Sequence, residues 1–424
     1  DTSINSTPLL QHLFTQNTVP LITVNFYDAL YEFNYTLDSS STSEYHEEPI
    51  ANATLLIDSC TFQNNQFNQT GWYSSLYWES FRLYANHSFI VKGFHINETV
   101  EYSGWTASST SNWETAISTY YNREGSPLEK ITLNINNSKF INNSVYSPQP
   151  LFANTIFDTF ILNNSLFENN TILTTDDATL MQSNTAFFVA RNDTPYHLDK
   201  PSQQAYFVNL VFNNNTGPIF ASNYSSITEQ DAQNSLYYFE NIQVSEHISK
   251  YPLFYFESTV RFETSAISLA NITTKTAAFF IKNMSDLSFG GVVIDGIDNV
   301  ESKLDLSNDS SANLEAFGAH SLCLALDTTT NFNVTNFTCL RTKFEASAVY
   351  KGITIATCGA FVSTVSSFIT DFTCSDAVYD SQTDDLTPQS LILISQIESR
   401  ENAMTIQNLT LSNNQASYGI LSLQ

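Results

Sequence analysis

The sequence predicts an all-β chain wound into a solenoid of about twelve coils. Three observations carry that reading: a recurring pattern, a change of parity inside each copy, and the spacing between copies. The pattern is apolar-x-apolar-x-Asn-apolar-x-apolar, often followed by x-Asn-Asn. It is plainest in LNINNSKFINN at Leu133 to Asn143 and FILNNSLFENN at Phe160 to Asn170, and it returns from Phe207, Tyr237, Phe332 and Met404. Looser copies start at Leu55, Phe89, Ile267 and Leu287, and one ends at Cys374. Apolar positions 1 and 3 precede the fifth residue and 6 and 8 follow it. A strand alternates with period 2, so that shift requires a corner, and one left-handed residue supplies it.

The corner position falls at Ser59, Gly93, Asn137, Asn164, Asn209, Asn241, Asn271, Gly291, Asn336, Asp371 and Asn408, with Asn25 as a weaker first copy. All but Ser59 are Asn, Gly or Asp, the residues that most readily accept φ > 0. Successive corners lie 20 to 45 residues apart. The short intervals cannot close a globular domain but suit one coil, and the long ones carry loop insertions on the same coil. Strand, single Asn or Gly corner, strand and variable loops together resemble the right-handed, single-stranded parallel β-helix of the pectin-lyase-like superfamily. The resemblance covers roughly residues 21–424. Residues 1–20, with Pro8, Leu9, Leu10, Leu13 and Phe14, read as an N-terminal cap or arm. The corner asparagines Asn137, Asn164, Asn209, Asn241, Asn271, Asn336 and Asn408 are expected to stack as a buried amide ladder. Phe62, Phe140, Phe167 and Phe212 fall at inward positions of a stacked aromatic core.

Composition excludes several function classes. The 424 residues hold 42 Asp+Glu against 16 Lys+Arg, a formal net charge of −26. So few cations cannot form the basic footprint of nucleic-acid binding, and an anionic membrane surface would repel the chain. The longest apolar runs, such as Ala186 to Ala190, are five residues, far short of a membrane span. An apolar fraction of 42% is too high for a disordered acidic tail.

Five cysteines stand at 60, 323, 339, 358 and 374. Cys323 to Cys358 and Cys339 to Cys374 both span 35 residues, equal to the interval between the corners Asn336 and Asp371. Equivalent positions in adjacent coils lie about 4.8 Å apart, which predicts the disulfides Cys323–Cys358 and Cys339–Cys374; the alternative is free thiols packed as small hydrophobes. Cys60 is left over and expected buried. The acceptor pattern Asn-x-Ser/Thr occurs 19 times, where chance would give about ten. The expected N-glycosylation sites are Asn34, Asn52, Asn68, Asn86, Asn97, Asn136, Asn142, Asn163, Asn169, Asn214, Asn223, Asn283, Asn308 and Asn333. Asn5 and Asn192 are weakened by a Pro after the Thr. Asn271, Asn336 and Asn408 are expected to stay unmodified, because a buried ladder cannot carry a glycan. Cysteine pairs and abundant sequons together point to an extracellular, secreted glycoprotein.

Little in the sequence carries chemistry. The resemblance implies polysaccharide enzymes with clustered Asp, Arg and His, whereas here the acidic pairs Glu47/Glu48, Asp176/Asp177 and Asp384/Asp385 lie in Ser/Thr-rich loops without a matching set one coil on. Asp295 and Asp298 could contribute only to a weak calcium site. No cofactor and no metal is expected. A saccharide-stacking platform would need exposed rings, and Trp72, Tyr73, Tyr77 and Trp78 are the dense candidates. Two function classes remain. One is a non-enzymatic structural or surface glycoprotein that stacks end to end with itself into a filament or cell-coat fibre, since the final SYGILSLQ reads as a strand that stops without a cap. The alternatives are a polysaccharide-active lyase or glycosidase built from the insertions at 97–131, 164–205 and 291–330, or a monomeric adhesin.

Overall fold

The chain is described by a computed structural model. Up to residue 122 it describes the strands Thr7–Leu10, Leu13–Thr15, Ile22–Asn25, Ala53–Asp58, Thr61–Gln63, Gln66–Phe67, Phe81–Asn86 and Ile117–Asn122. Beyond them it describes 131–146, 152–154, 159–173, 188–191, 204–223, 236–257, 261–284, 287–299, 320–328, 332–346, 350, 353–362, 367–381, 389–395, 404–415 and 419–423. Among these residues each recurrent apolar alternation forms a strand, and every strand pairing is parallel, as the solenoid reading requires. One sheet runs in register from Thr7–Leu10 through Ala53–Asp58, Ile131–Asn136, Thr159–Asn163, Gln204–Asn213, Leu236–Ser249, Arg261–Thr274, Leu287–Asp298, Phe332–Ala346 and Ser367–Ser375 to Met404–Gln407. A second, 12-stranded sheet runs from Ile22–Asn25 to Gly419–Leu423. The chain alternates between the two sheets along most of its length, so the fold is the expected parallel β-helix.

The core lies between the sheets and is made of stacked rows. Phe140 and Phe167 stack with centroids 4.7 Å apart, and Phe167 and Phe212 at 4.6 Å. All three are at most 1% exposed, and Phe62 stands in register with Phe140. Burying such a ring contributes about 1.5–3 kcal/mol, and favourable ring contacts add about 0.5–1.5 kcal/mol. The two sheets differ on their outer faces. In the 12-stranded sheet the outward Tyr255, Phe280 and Ala325 are buried like the inward Phe254 and Phe279, which explains why Phe254–Phe256 and Phe279–Ile281 show no polar alternation. The first sheet keeps a polar outer face and the alternation that goes with it.

Several sequence expectations change here. Asn25 is not a corner; it ends a strand of the second sheet opposite Tyr84. Ser59 and Gly93 lie outside the described residues. In the first sheet Ala53–Asp58 pairs directly with Ile131–Asn136. Within residues 1–20, the span expected as a cap or arm, the strands Thr7–Leu10 and Leu13–Thr15 pair in register with Ala53–Asp58 and Thr61–Gln63.

Candidate functional site

The outer face of the first sheet is organised by its corners. Asn137, Asn164, Asn209, Asn241, Gly291, Asn336, Asp371 and Asn408 all have φ between 49° and 66°, as the parity change demands. Asn271 is left-handed too, but in a different row. Register pairs Ile242 with Ile267, which puts Ala266 (φ 58°) opposite the corner Asn241. Ala266 escaped recognition because alanine rarely adopts φ > 0, and Asn271, five residues on, drew the assignment instead. A second corner row therefore exists: Asn142, Asn169, Asn214, Glu246, Asn271, Gly296, Arg341, Asp376 and Asn413. The x-Asn-Asn trailer of the repeat was its sequence signal.

The corner side chains are exposed, contrary to the expected buried ladder. They bond one another in solvent, with Asn241 Nδ2 donating to Asn209 Oδ1 at 2.8 Å and Asn408 Nδ2 to Asp371 Oδ1 at 2.9 Å. The reason is geometric: a left-handed residue places two consecutive side chains outward, and the next one turns in. The buried ladder belongs to the residue after the second corner. Asn170 Oδ1 accepts from the backbone N and Nδ2 of Asn143, both at 2.9 Å, while Asn170 Nδ2 donates to Phe140 O and to Asn215 Oδ1. Asn215 Nδ2 in turn donates to Phe167 O. His247 occupies the next place in this row, fully buried, with Nε2 donating to Gly217 O at 2.5 Å. Burial lowers its pKa to about 4.

Of the expected glycosylation sites, Asn136, Asn142, Asn163, Asn169, Asn214, Asn283 and Asn333 are described, and all face outward with none buried. Asn271, Asn336 and Asn408 are exposed as well, which removes the ground for expecting them to stay unmodified. The side chains of Asn34, Asn52, Asn68, Asn86, Asn97, Asn223 and Asn308 lie outside the described residues, as do those of Asn5 and Asn192. The acidic pairs, the aromatic cluster from Trp72 to Trp78 and Cys60 lie outside them too.

Four cysteines are disulfide-bonded, but with different partners from those expected: Cys323 with Cys339, and Cys358 with Cys374. The spacing argument located them correctly, for Cys339 stands in register with Cys374. In-register neighbours on parallel strands, however, project their Cβ atoms side by side about 4.8 Å apart, beyond the usual disulfide range of about 3.5–4.5 Å. Cysteines on opposite sheets of one coil point at each other across the core. Cys358–Cys374 thus ties the two sheets together, and Cys323, next to the strand Leu324–Asp327 of the second sheet, ties to Cys339 of the first.

Among the described residues no three metal-ligating side chains cluster. Asp295 accepts from Arg341 Nε at 2.6 Å across two adjacent coils. One outward grouping on the first sheet spans three coils. Tyr206 and Tyr238 are register neighbours whose centroids lie 6.2 Å apart at 57°. Tyr206 donates its hydroxyl to Gln204 Oε1 at 3.0 Å, and Tyr238 donates to Glu240 Oε2 at 3.2 Å. One coil further, Arg261 pairs with Glu263 at 2.5 Å. Burial, the Glu240 hydrogen bond and the charges of Glu240 and Glu263 raise the Tyr238 pKa, so the phenol remains a donor. Sequence reasoning missed these tyrosines because they sit in otherwise ordinary copies of the repeat, where only the outward parity of their positions distinguishes them from core rings.

No family model and no curated protein matches the sequence. Among solved structures, the chain is similar to the Streptococcus pneumoniae surface protein and adhesin PfbA at 10% identity and a TM-score of 0.33, over 98% of this chain and 85% of that one. It is also similar to the A-module of the Azotobacter vinelandii mannuronan C-5 epimerase AlgE4 at 8% identity and a TM-score of 0.18, over 88% and 78%. Likenesses this loose assign neither an activity nor a ligand. No helix among the described residues is long and apolar enough to cross a membrane.

Proposed function

We propose that the chain is an extracellular, N-glycosylated structural glycoprotein, a non-enzymatic β-helical rod of a cell coat or surface fibre. The observation that carries this reading is how the asparagines divide. Every described sequon asparagine points outward, whereas the buried asparagines Asn143, Asn170, Asn215 and Asn299 all lack the sequon. Two fully buried disulfides support an oxidising compartment. Intact mass of secreted protein before and after peptide-N-glycosidase tests the reading: a loss of several glycans is expected, and no loss at any of the ten described sequons would overturn it.

The proposal includes end-to-end stacking. In inner coils Phe372 and Ile392 are 1% and 2% exposed, but their counterparts in the last described coil, Leu409 and Leu421, are 38% and 47% exposed. A second copy seated on this coil would bury both. Electron micrographs should show filaments that Leu409→Lys with Leu421→Lys abolishes, and monomers alone at high concentration would refute stacking.

A further inference from the structure

We infer that Tyr206, Tyr238, Gln204, Glu240, Arg261 and Glu263 form a shelf that binds an uncharged hexopyranose oligosaccharide from the protein's surroundings. The geometry begins with the repeat. Both tyrosines occupy an outward position that in later coils holds Glu263, Ser288, Asn333, the exposed Phe368 and Thr405, so the core does not require the rings there. Each hydroxyl is anchored by a residue on its own strand, and the anchors lie on opposite sides: Gln204 two residues before Tyr206, Glu240 two residues after Tyr238. The rings consequently splay at 57° and do not cover each other. A half-exposed ring face presents rigid apolar area with little side-chain entropy left to lose, which suits the C–H face of a pyranose.

The polar groups decide the chemical class. Glu240 and Glu263 are acceptors for sugar hydroxyls, and the Arg261 guanidinium supplies donors beside Glu263. Two carboxylates stand against one guanidinium, on a chain of net charge −26, so a uronate or sulfated glycan would be repelled where a neutral one is not. The three coils involved span about 10 Å, enough for two or three sugar units.

Calorimetric titration of the full chain, with its own N-glycans removed, tests the shelf against neutral hexaoses of β-1,4-glucose, β-1,3-glucose and α-1,6-mannose, with polygalacturonate as the charged counterpart. At least one neutral hexaose should bind. Tyr206→Ala and Tyr238→Ala should each weaken it about tenfold, while Tyr206→Phe, which keeps the ring, retains most of the affinity. Thermal midpoints of the variants separate loss of binding from loss of fold. The inference is overturned if no neutral hexaose binds, if polygalacturonate binds better, or if the alanine variants bind unchanged. Equal binding after glycan removal is expected. Binding that appears only after removal would show that the protein's own glycans fill the shelf, which would overturn assignment to an external chain.

Discussion

Asn170 and Asn215 do what an aliphatic side chain cannot: each amide closes backbone groups that the tight turn leaves inside the coil. Asn170→Ala would remove four side-chain hydrogen bonds from buried partners, and chemical denaturation should show a loss of about 2–4 kcal/mol. Asn209→Gly keeps the left-handed backbone and loses only solvent-exposed amide contacts, so its change should stay below about 1 kcal/mol. His247 gives this row a pH response. Its folded pKa of about 4 lies below the unfolded value of 6.5, so between those values the unfolded chain binds the extra proton. Stability attributable to this group is complete above pH 6.5 and falls as the pH drops toward 4, by about 3 kcal/mol. Comparing unfolding at pH 7 and pH 5 should show a smaller acid loss in His247→Asn than in the parent protein. The asparagine residues were legible in the sequence as a repeated motif, but their roles were exchanged: the corner amides are wet and the trailing ones dry. Only the fixed direction of each side chain after the left-handed bend decides that.

At the scale of the coil, the two corner rows set the cross-section. Gly291 illustrates how tightly they stack, since a Cβ there would lie 2.8 Å from the Ala266 backbone nitrogen as well as at φ +66°. Ala266 is the strained member of its row, and Ala266→Gly should stabilise the protein by about 1 kcal/mol in thermal or denaturant unfolding. Asn241→Val, which puts a β-branched residue at φ 52°, should destabilise it by about 1–2 kcal/mol. With Ala266 in place the coils on either side of it are each 25 residues long, which replaces the uneven 30 and 20 read from the sequence. The disulfides belong to the same scale. Peptide mapping without reductant should yield Cys323–Cys339 and Cys358–Cys374, each closing a separation of 16 residues. Removing either should cost about 3 kcal/mol. The 35-residue periodicity was enough to place the four cysteines at equivalent positions, yet both pairings satisfy that periodicity. The choice required knowing which Cβ atoms face each other.

For the whole molecule, stacking twelve strands at about 4.8 Å gives a rod on the order of 55 Å long, which small-angle scattering can measure. Its net charge of −26 is spread over an outer surface with few cations, so self-repulsion opposes the compact state. The thermal midpoint should rise as salt is added from low ionic strength to about 0.15 M, where the screening length falls to about 8 Å. The sequence by itself determined that the chain coils, roughly how often, where most corners of the first row fall and which rings fill the centre. Those properties follow from period-2 alternation and from the few residue types that accept φ > 0, both of which are local. Tertiary structure alone decided which cysteines bond, which asparagines are buried and which two tyrosines stand on the surface. Each of those depends on what an adjacent coil or the opposite sheet places next to a side chain, and no spacing along one strand encodes that direction.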